Sequence, residues 1–470
     1  MSLDNTHFGA EKISAILNGK KKLFFDGIGG VSMCSLAQIS KLRGHEVSGY
    51  DRTETPATRE LEKNGIKVFY EVDAEHMNNC DALIYTVAIP ADNPEYKAAM
   101  EKGIPCISRA DYLGYLMSGY KTRVGISGMH GKSTTTSMAE AAFTAAGFDP
   151  TVSCGATMKN VGSAHRIGGD GTFVFEACEY MDSFLDFYPT LAVILNIEMD
   201  HVDYFHSMTQ IRNSFRAFLD RTNKGIALVN CGDDDVMKAA EGFEGTLVTF
   251  GVDNAEADYS ALNINFDKGR GSFDFCLKGE KLCRIELSVP GAHCICDALA
   301  AAAAAHISGG SPEDIARGLV SFEGAARRMD DCGTALCGAE VYSDYAHHPT
   351  EIETTLKTAC TMGFDKVYAV FQPHTYSRTG ELFDDFVKVL SENGAEEVII
   401  APIYSARETN TYGVSSEALC DSIRKAGKKC RFIGQFSDIA EYVNSVAEKG
   451  DSIIVMGAGD ITKAIPAMKG

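Results

Sequence analysis

The most informative segment of the chain is a glycine-rich loop that ends in a lysine and a run of hydroxyl side chains. Residues 125–136 read GISGMHGKSTTT and lie between a predicted buried strand and a predicted helix. In that setting backbone N–H groups and the helix N-terminus receive phosphate oxygens, a lysine reaches the β- and γ-phosphates, and a serine hydroxyl binds Mg²⁺. The spacing misses the strict GxxxxGK[ST] pattern, because Gly125 lies one position too far from Gly131. We therefore predict a variant ATP-binding loop with the contact residues Gly128, Met129, His130, Gly131, Lys132, Ser133 and Thr134.

Acidic side chains and a histidine follow two apolar runs further along the chain. Glu176 and Glu179 come after the predicted strand 173–175, and His201 lies in the segment after the predicted strand 191–195. The carboxyl ends of neighbouring parallel strands meet at one edge of a sheet, where ligands bind. Mg²⁺ prefers oxygen ligands, and Mn²⁺ accepts an imidazole more readily. The pattern predicts a divalent-cation site formed by Ser133, Glu176 and His201.

A second glycine-rich turn lies near the N-terminus. The strand-like run Lys22–Asp26 leads into Gly27-Ile28-Gly29-Gly30, and a helical stretch follows from Met33 to Arg43. The next strand, 45–50, ends at Asp51, whose carboxylate suits a ribose hydroxyl. The pattern is weak by itself, because Ser32 stands where a dinucleotide fingerprint has its third glycine. A turn without a ligand remains an alternative.

Two histidine-rich strings in the last third of the chain follow predicted strands. The string 344–351 reads DYAHHPTE, and Pro349 is at a favourable first position for a helix. The string 371–379 reads FQPHTYSRT. An arginine is always charged and binds a carboxylate or phosphate through two hydrogen bonds, so Arg378 is a candidate anion clamp, and pairing with Glu381 is the alternative. His348 and His374 are candidates for accepting a proton, because an imidazole titrates near neutrality.

Composition limits the function classes. The formal net charge of -20 argues against a nucleic-acid surface, which needs clustered lysine and arginine. The N-terminus is a poor signal peptide and no apolar run is long enough for a membrane helix, so we expect a cytoplasmic protein without membrane insertion. The 15 cysteines are scattered without a CxxC pair, which favours reduced thiols. A monomer or a homodimer is expected.

A chain of 470 residues is too long for one core and predicts about three domains. Strand-like runs alternate with helical stretches throughout, which is typical of α/β domains. We expect a Rossmann-like domain over 1–119, a central P-loop ATPase-like domain with a parallel sheet over 120–325, and a Rossmann-like α/β domain over 326–470. Further strands are predicted at 82–86, 122–126, 340–343, 366–371, 397–401 and 452–456, and an alanine-rich helix at 297–306.

These features together resemble the Mur ligase family over nearly the whole chain. The loop 125–136 matches the GxxGxxGK[ST]TT loop of that family, and the turn 27–33 resembles its GIGGxGM turn. The segment 86–90 resembles its SSAI motif with Thr86 and Val87 in place of the serines, and two further segments, 93–95 and 109–111, resemble its NPE and RAE motifs. The string 401–408 and the two histidine-rich strings are closest to the branch of the family that adds L-alanine.

The resemblance implies a role for each domain. The N-terminal domain would bind the UDP part of UDP-N-acetylmuramic acid through Gly27, Ile28, Gly29, Gly30, Asp51, Thr86 and Arg109. The central loop would bind ATP, together with His293, Arg327, Arg328 and Asp344. The amino acid would be bound by Tyr345, His374 and Arg378, with Lys132, His348 and Arg378 serving catalysis.

One segment departs from the family. Members usually place asparagines in a GxHNxxN segment that reads adenine, whereas residues 291–297 here read GAHCICD. An asparagine donates and accepts hydrogen bonds simultaneously, Cys294 is a poor substitute, and an ionised Asp297 only accepts. The way in which adenine is held is therefore open, and stacking on His293 is one possibility.

The activity implied by the resemblance is an ATP-dependent ligation. ATP would phosphorylate the lactyl carboxylate of UDP-N-acetylmuramic acid, and the amine of L-alanine would then attack the acyl phosphate, with Mg²⁺ or Mn²⁺ as cofactor. Ligation of a murein tripeptide is the nearest alternative. A nicotinamide-dependent oxidoreductase is more remote, because it leaves Lys132 unexplained. An inactive nucleotide-binding scaffold is opposed by the presence of Lys132, Ser133, Glu176 and His201.

Overall fold

The computed structural model describes residues 3–201, 204–406 and 408–470. Val202 and Asp203, which follow His201, and Arg407, in the string 401–408, lie outside the described residues. The chain forms two compact units. The first comprises Met1–Ser260, Leu277–Glu280 and Ala298–Gly318, and the second comprises Ala261–Cys276, Lys281–Asp297 and Leu319–Gly470.

The N-terminal sheet of the first unit has five parallel strands. They are β1 (Lys22–Asp26), β2 (Glu46–Tyr50), β3 (Lys67–Phe69), β4 (Ala82–Tyr85) and β5 (Cys106–Ser108), in the order β3-β2-β1-β4-β5. The helices are α1 (Ala10–Ile16), α2 (Val31–Leu42), α3 (Pro56–Lys63), α4 (Pro94–Glu101) and α5 (Arg109–Ser118), with a 3-10 helix at Ala74–Asn79. The order reverses between β1 and β4, which is where such sheets bind ligands.

A second sheet in the same unit carries the glycine-rich loop 125–136. Its strands are β6 (Thr122–Ser127), β7 (Thr151–Met158), β8 (Ser163–Arg166), β9 (Thr172–Glu176), β10 (Leu191–Ile194), β11 (Ile226–Asn230) and β12 (Thr246–Val252), in the order β12-β11-β10-β6-β9-β7-β8. The helices are α6 (Lys132–Ala145), α7 (Met208–Asp220) and α8 (Asp234–Ala240), with a 3-10 helix at Tyr180–Asp186. Strand β10 is buried along its whole length, as expected for a strand covered on both faces.

Three further strands and two helices complete the middle of the chain. The strands β13 (Tyr259–Asp267), β14 (Arg270–Leu277) and β15 (Glu280–Pro290) are hydrogen-bonded in the order β15-β14-β13. The helices are α9 (His293–Ile307) and α10 (Pro312–Val320). Helix α9 begins four residues before the predicted start at 297. The prediction placed the start late because the first turn contains cysteines and a histidine rather than strong helix formers.

The C-terminal sheet lies in the second unit. Its strands are β16 (Asp330–Thr334), β17 (Glu340–Asp344), β18 (Val367–Phe371), β19 (Glu397–Ile400), β20 (Cys430–Phe432) and β21 (Ser452–Met456), in the order β16-β17-β21-β18-β19-β20. All neighbours are parallel except β16, which is antiparallel to β17. The helices are α11 (Pro349–Thr361), α12 (Tyr376–Glu381), α13 (Phe383–Ser391), α14 (Ser416–Lys425), α15 (Phe436–Val446) and α16 (Ala464–Lys469), with a 3-10 helix at Ile461–Lys463.

The predicted α/β class with largely parallel sheets is confirmed. Most predicted strands are observed within one or two residues of their expected bounds, and the strand 452–456 is observed with the predicted bounds. The boundaries near residues 119 and 325 remain predictions, because the two compact units divide the chain differently. In the described part of the chain, no helix is long and apolar enough to cross a membrane.

Candidate active site

The glycine-rich loop that is predicted to bind ATP connects β6 to α6 through two glycines in the left-handed region. Gly128 has φ +145° and Gly131, the residue before α6 begins, has φ +81°. Only glycine adopts these conformations without strain. A side chain at Gly128 would also meet Cβ of Leu195 at 3.0 Å and the main-chain nitrogen of Asn196 at 3.2 Å. The loop therefore lies directly against the segment that follows β10.

Lys132 begins α6 and folds back over the loop. Its Nζ donates to the carbonyl oxygens of Gly128, at 2.5 Å, and of Met129, at 3.1 Å. It also lies 3.0 Å from Oε1 and 2.9 Å from Oε2 of Glu179. Burial by itself lowers the pKa of Lys132, but the neighbouring Glu179 carboxylate outweighs it and holds that pKa above the usual value. The loop thus ends in a cation that stays charged.

Two carboxylates meet the hydroxyl and imidazole groups that were predicted to bind a metal. Oε2 of Glu176 accepts hydrogen bonds from the Ser133 hydroxyl, at 2.8 Å, and from the main-chain N–H of Gly155, at 2.7 Å. Oε1 of Glu179 lies 3.3 Å from Nε2 of His201. A side chain at Gly155 would overlap the Glu176 carboxylate in its present position and would displace it. The set is rich in oxygen and contains one imidazole, which fits Mg²⁺ or Mn²⁺.

Glu179 is the residue of this cluster that sequence reasoning left out of the predicted metal ligands. It is fully buried, and burial raises the pKa of its carboxyl, but Lys132 and His201 more than offset that and keep the pKa below its usual value. A buried carboxylate that stays ionised between a lysine and a histidine is well suited to hold a cation. The available signal was its position three residues after Glu176, beyond the end of β9.

The backbone around the cluster is strained. His201 has φ +50°, and Met181 and Asp182 have φ +53° and +54° within the 3-10 helix that follows Glu179. Non-glycine residues adopt this region only when their surroundings impose it, and such residues cluster at functional sites. The ring of Tyr180 lies 4.7 Å from the His201 ring. The strain supports a functional role for this part of the first unit.

The N-terminal turn is held by Asp51 at the crevice between β1 and β4. Oδ2 of Asp51 accepts from the main-chain N–H of Gly29 at 2.9 Å, so its carboxylate braces the turn as well as being available to a ribose. The Ile28 side chain is fully buried, which leaves its main chain as the only part that a ligand can meet. Gly27 has φ +83°, and a side chain there would meet Cγ2 of Thr86 at 2.8 Å.

Arg109 links the turn to the metal-binding cluster. It begins α5, and its guanidinium donates to the Ser32 hydroxyl at 3.3 Å. Burial lowers its pKa, while Cys178, Asp186 and Glu176 lie close enough to oppose that shift. A guanidinium near both the N-terminal turn and Glu176 is placed to bind an anion shared by the two sheets of the first unit.

In the second unit Asp344 ends β17 and organises the following loop. Its carboxylate accepts from the main-chain N–H groups of Met329, at 2.7 Å, and of Ala346, at 2.8 Å. Burial raises its pKa, against the opposing effect of the Arg328 guanidinium. The guanidinium groups of Arg327 and Arg328 lie 4.7 Å and 5.4 Å from the centre of the Tyr345 ring. Arg327 also donates to the carbonyl oxygens of Gly457 and Gly459 and has φ +58°.

The predicted amino-acid site is a cluster of rings and one arginine. Nη1 of Arg378 lies 3.4 Å from Nδ1 of His374, whose ring stacks on Tyr404 at 5.6 Å. His347 lies between the rings of Tyr345 and His374, 5.3 Å and 5.6 Å away. Burial, together with His347 and Arg378, lowers the pKa of His374 to about 4, so His374 is neutral at pH 7. Sequence reasoning missed the contributions of His347 and Tyr404.

His348 caps the helix that follows it, and its role in catalysis stays a prediction. Its Nδ1 caps the N-terminus of α11 by accepting from the main-chain N–H of Thr350 at 3.4 Å, and the main-chain N–H of His348 donates to Oε2 of Glu351 at 3.2 Å. The side chain is 4% exposed. The other histidine considered for proton transfer, His374, lies with its Nδ1 3.4 Å from Nη1 of Arg378.

Residues 291–297, which lack the asparagines of the family segment, form a turn in which His293 and Cys294 are in contact. The His293 ring packs over Gly291, where a side chain would overlap it. Sγ of Cys294 lies 3.5 Å from Nε2 of His293 and donates to the Pro290 carbonyl at 3.4 Å. The sulfur thus faces its own turn, and the exposed His293 ring is the group that remains available to stack on a base.

The predicted residues therefore gather in two places. The first unit brings together the loop from Gly128 to Thr134, the cation-binding side chains and Arg109. The second unit brings together Asp344, Arg327, Arg328 and Tyr345, and beside them His374 and Arg378.

Three family models match consecutive parts of the chain. The "Mur ligase family, catalytic domain" model matches residues 24–121, and the "Mur ligase middle domain" model matches residues 126–305. The "Mur ligase, glutamate ligase domain" model matches residues 327–459. Together they account for most of the chain.

Individual relatives are similar over their whole length. A UDP-N-acetylmuramate–L-alanine ligase of Lachnospira eligens is 43% identical over 449 residues, which are 95% of this chain and 97% of that protein. One from Caldicellulosiruptor saccharolyticus is 43% identical over 446 residues, 94% of this chain and 97% of that protein. The crystal structure of a UDP-N-acetylmuramate-alanine ligase of Thermotoga maritima has a TM-score of 0.79 and 26% identity, covering 95% of this chain and 98% of the other. The chain belongs to the Mur ligase family.

Proposed function

We propose that the protein is an ATP-dependent ligase that joins the lactyl carboxylate of UDP-N-acetylmuramic acid to the amino group of L-alanine. The observation that carries the proposal is the cluster of Lys132, Ser133, Glu176, Glu179 and His201 at one edge of the central sheet. The substrates follow from the similarity to UDP-N-acetylmuramate–L-alanine ligases at 43% identity over nearly the whole chain.

The chemistry requires activation of a carboxylate, because a carboxylate oxygen is a poor leaving group. In the first step a lactyl carboxylate oxygen attacks the γ-phosphorus of ATP, an acyl phosphate forms and ADP leaves. In the second step the amine attacks the acyl carbon and the tetrahedral intermediate expels inorganic phosphate, while the amine proton passes to a base. Such transfers depend on positioning and on charge neutralisation rather than on covalent participation by the protein.

The first unit supplies the charge neutralisation. Lys132 stays protonated and would bind the transferring phosphoryl group in exchange for Glu179. Ser133, Glu176, Glu179 and His201 would hold Mg²⁺ or Mn²⁺, which neutralises phosphate charge when bound. Arg109, close to the N-terminal turn and to Glu176, would bind the anionic sugar nucleotide.

The second unit supplies the acceptor site. Arg378 is half-buried beside His374 and would bind the carboxylate of the amino acid through two hydrogen bonds. His374 is neutral at pH 7 because its pKa is about 4, which makes it a weak base, so it would line the acceptor site as an uncharged hydrogen-bonding partner. The rings of Tyr345, His347 and Tyr404 form a chain of aromatic contacts with His374 beside this position.

The experiment is a measurement of phosphate release with ATP, Mg²⁺ and UDP-N-acetylmuramic acid, with each of the twenty amino acids and a murein tripeptide as acceptor. Release that depends on L-alanine supports the proposal. Release that depends only on the tripeptide would assign the protein to the murein-peptide reaction, and no acceptor-dependent release would refute ligase activity.

A further inference from the structure

Asn196, the second residue after β10, contacts the ATP-binding loop through its main chain and its side chain. Its carbonyl oxygen accepts from the Met129 N–H at 3.3 Å. Its Oδ1 accepts from the His130 N–H at 2.8 Å, and its Nδ2 donates to the His130 carbonyl at 3.0 Å. Three hydrogen bonds therefore join one residue to two consecutive residues of the loop.

The side-chain contacts have a chemistry that few residues can reproduce. One group must accept from a main-chain N–H while another donates to the carbonyl of the same residue, and a carboxamide provides both. An aspartate accepts but does not donate, and a serine is too short for both contacts. Asn196 thus fixes the conformation of His130 in the middle of the loop.

Glu198, two residues after Asn196, contacts the side chain of His130. Oε2 of Glu198 lies 3.0 Å from Nε2 of His130, so the imidazole ring is fixed as well as the main chain. The main chain and the imidazole of His130 are thus both in contact with this segment. Since Gly128 has no room for a side chain against Leu195 and Asn196, the part of the loop from Gly128 to His130 lies against this segment.

The segment itself is anchored to the neighbouring strand and helix. Nδ2 of Asn230, at the end of β11, donates to the Leu195 carbonyl at 2.9 Å. Oδ2 of Asp233, the N-cap of α8, accepts from the Ile197 N–H at 3.0 Å. The residues on both sides of Asn196 are therefore fixed to β11 and α8, and Asn196 transmits that rigidity to the loop.

We propose that Asn196 is a positioning residue for ATP, which holds the loop in its phosphate-binding conformation before the nucleotide arrives, with Glu198 holding the His130 ring. The inference rests on the proposed function, in which this loop binds ATP. A loop that is fixed in advance loses less conformational freedom on binding, and the nucleotide binds more tightly for that reason.

The test is the affinity for a non-hydrolysable ATP analogue with Mg²⁺, measured by titration calorimetry on the full chain. Asn196→Ala should weaken binding by about tenfold to a hundredfold, the effect of losing two hydrogen bonds that act together. Asn196→Asp, which keeps only the acceptor, should weaken it to a similar or smaller extent. The KM for ATP should rise in these variants, whereas the KM for UDP-N-acetylmuramic acid should not change.

A matched control is available in the second unit. Asn393 also makes main-chain contacts through its side chain, donating to the carbonyl oxygens of Val389 and Leu390 and accepting from the Ala395 N–H. Asn393→Ala should leave the affinity for the ATP analogue within twofold of the wild-type value. If Asn196→Ala does not fold, Asn196→Asp and Glu198→Gln provide the same comparison.

The outcomes separate the two proposals. If the wild-type protein binds the ATP analogue and the Asn196 variants bind it with the same affinity, the positioning role is overturned and ATP use stands. No binding to the wild-type protein would refute ATP use and this inference with it. An equal loss in Asn393→Ala would also overturn the positioning role, because general destabilisation would then explain it.

Discussion

The ammonium group of Lys132 lies 3.0 Å and 2.9 Å from the two carboxylate oxygens of Glu179, a side chain with no exposed surface. This pair joins the end of the ATP-binding loop to the cation-binding cluster, because Glu179 also faces His201. When a nucleotide and its cation bind, a phosphate would take the place of Glu179 beside Lys132, and the cation would take the place of Lys132 beside Glu179. The relationship makes distinct predictions for activity and for stability.

The first prediction concerns Lys132→Met, which removes the cation but keeps most of the volume. Turnover should fall by more than about a hundredfold, since charge on the transferring phosphoryl group is no longer neutralised. Stability should fall by about 3–5 kcal/mol, because a buried carboxylate loses its partner. Phosphate release and urea unfolding measure the two effects.

The double variant Lys132→Met/Glu179→Gln separates these effects. It should regain much of the lost stability, since the unpaired charge is gone, without regaining turnover. Near-normal turnover in Lys132→Met would remove the basis of the loop assignment, and unchanged stability would mean that the pair is not energetically coupled.

The second prediction concerns the cation site. Glu179→Gln should raise the Mg²⁺ concentration needed for half-maximal activity by at least about tenfold, because a charged oxygen ligand is replaced by a neutral one. Glu340→Gln is a suitable control, since Glu340 is an acidic residue that bonds to Tyr342 in the second unit. Equal Mg²⁺ requirements in the wild type and Glu179→Gln would exclude Glu179 from the site.

The third prediction concerns the acceptor. Arg378→Lys keeps the charge but loses the paired hydrogen-bond geometry, so the KM for L-alanine should rise by about tenfold to a hundredfold while the KM for ATP changes little. Arg424→Lys, at an arginine that pairs with Asp421 on the surface, should behave as the wild type. Steady-state kinetics with each substrate varied in turn distinguishes the cases. A larger effect on ATP than on L-alanine would contradict the assignment.

The fourth prediction concerns pH and stability. Burial and the neighbouring Glu95 raise the pKa of Asp26 to about 8, and burial raises the pKa of Glu95 to about 7. Both oxygens of Asp26 lack a hydrogen-bond partner among the described residues. A carboxyl with a raised folded-state pKa binds its proton more tightly in the folded protein, so stability is lost as the pH rises from about 4 to about 8, by up to about 1.4 kcal/mol per pH unit.

Asp26→Asn should remove that loss. The melting temperature of the variant minus that of the wild type should increase steadily between pH 5 and pH 8 and then stay constant. Asp81→Asn, at an exposed carboxylate that accepts from the Lys22 N–H, serves as the control. A difference between Asp26→Asn and the wild type that does not depend on pH would contradict the raised pKa.

The parts of this protein that could be predicted from the sequence are those whose structure is specified by a short run of neighbouring residues. The apolar runs of β6 and β10 and the glycines of the loop specify a buried strand and a tight turn by themselves. The family of the chain, expected from its motifs, is confirmed by the three family models. The individual assignments of Gly27, Thr86, His293 and Arg378 to ligands remain predictions.

The parts that could not be predicted depend on contacts between distant residues. Glu179 is separated from Lys132 by 47 positions, and Asn196 from His130 by 66, so no local pattern reveals either contact. The cap formed by His348 was hidden for a different reason, because a histidine beside another histidine suggests catalysis more readily than helix capping. The start of α9 was placed late because its first turn lacks strong helix formers.

The most direct test of the account follows oxygen atoms through the reaction. UDP-N-acetylmuramic acid labelled with ¹⁸O in its lactyl carboxylate is incubated with the protein, ATP, Mg²⁺ and L-alanine, and the released phosphate is analysed by mass spectrometry. An acyl phosphate leaves one carboxylate oxygen on the phosphate, so the account predicts one ¹⁸O in each phosphate released with the amide product. Amide formation with unlabelled phosphate, or no amide at all, would contradict it.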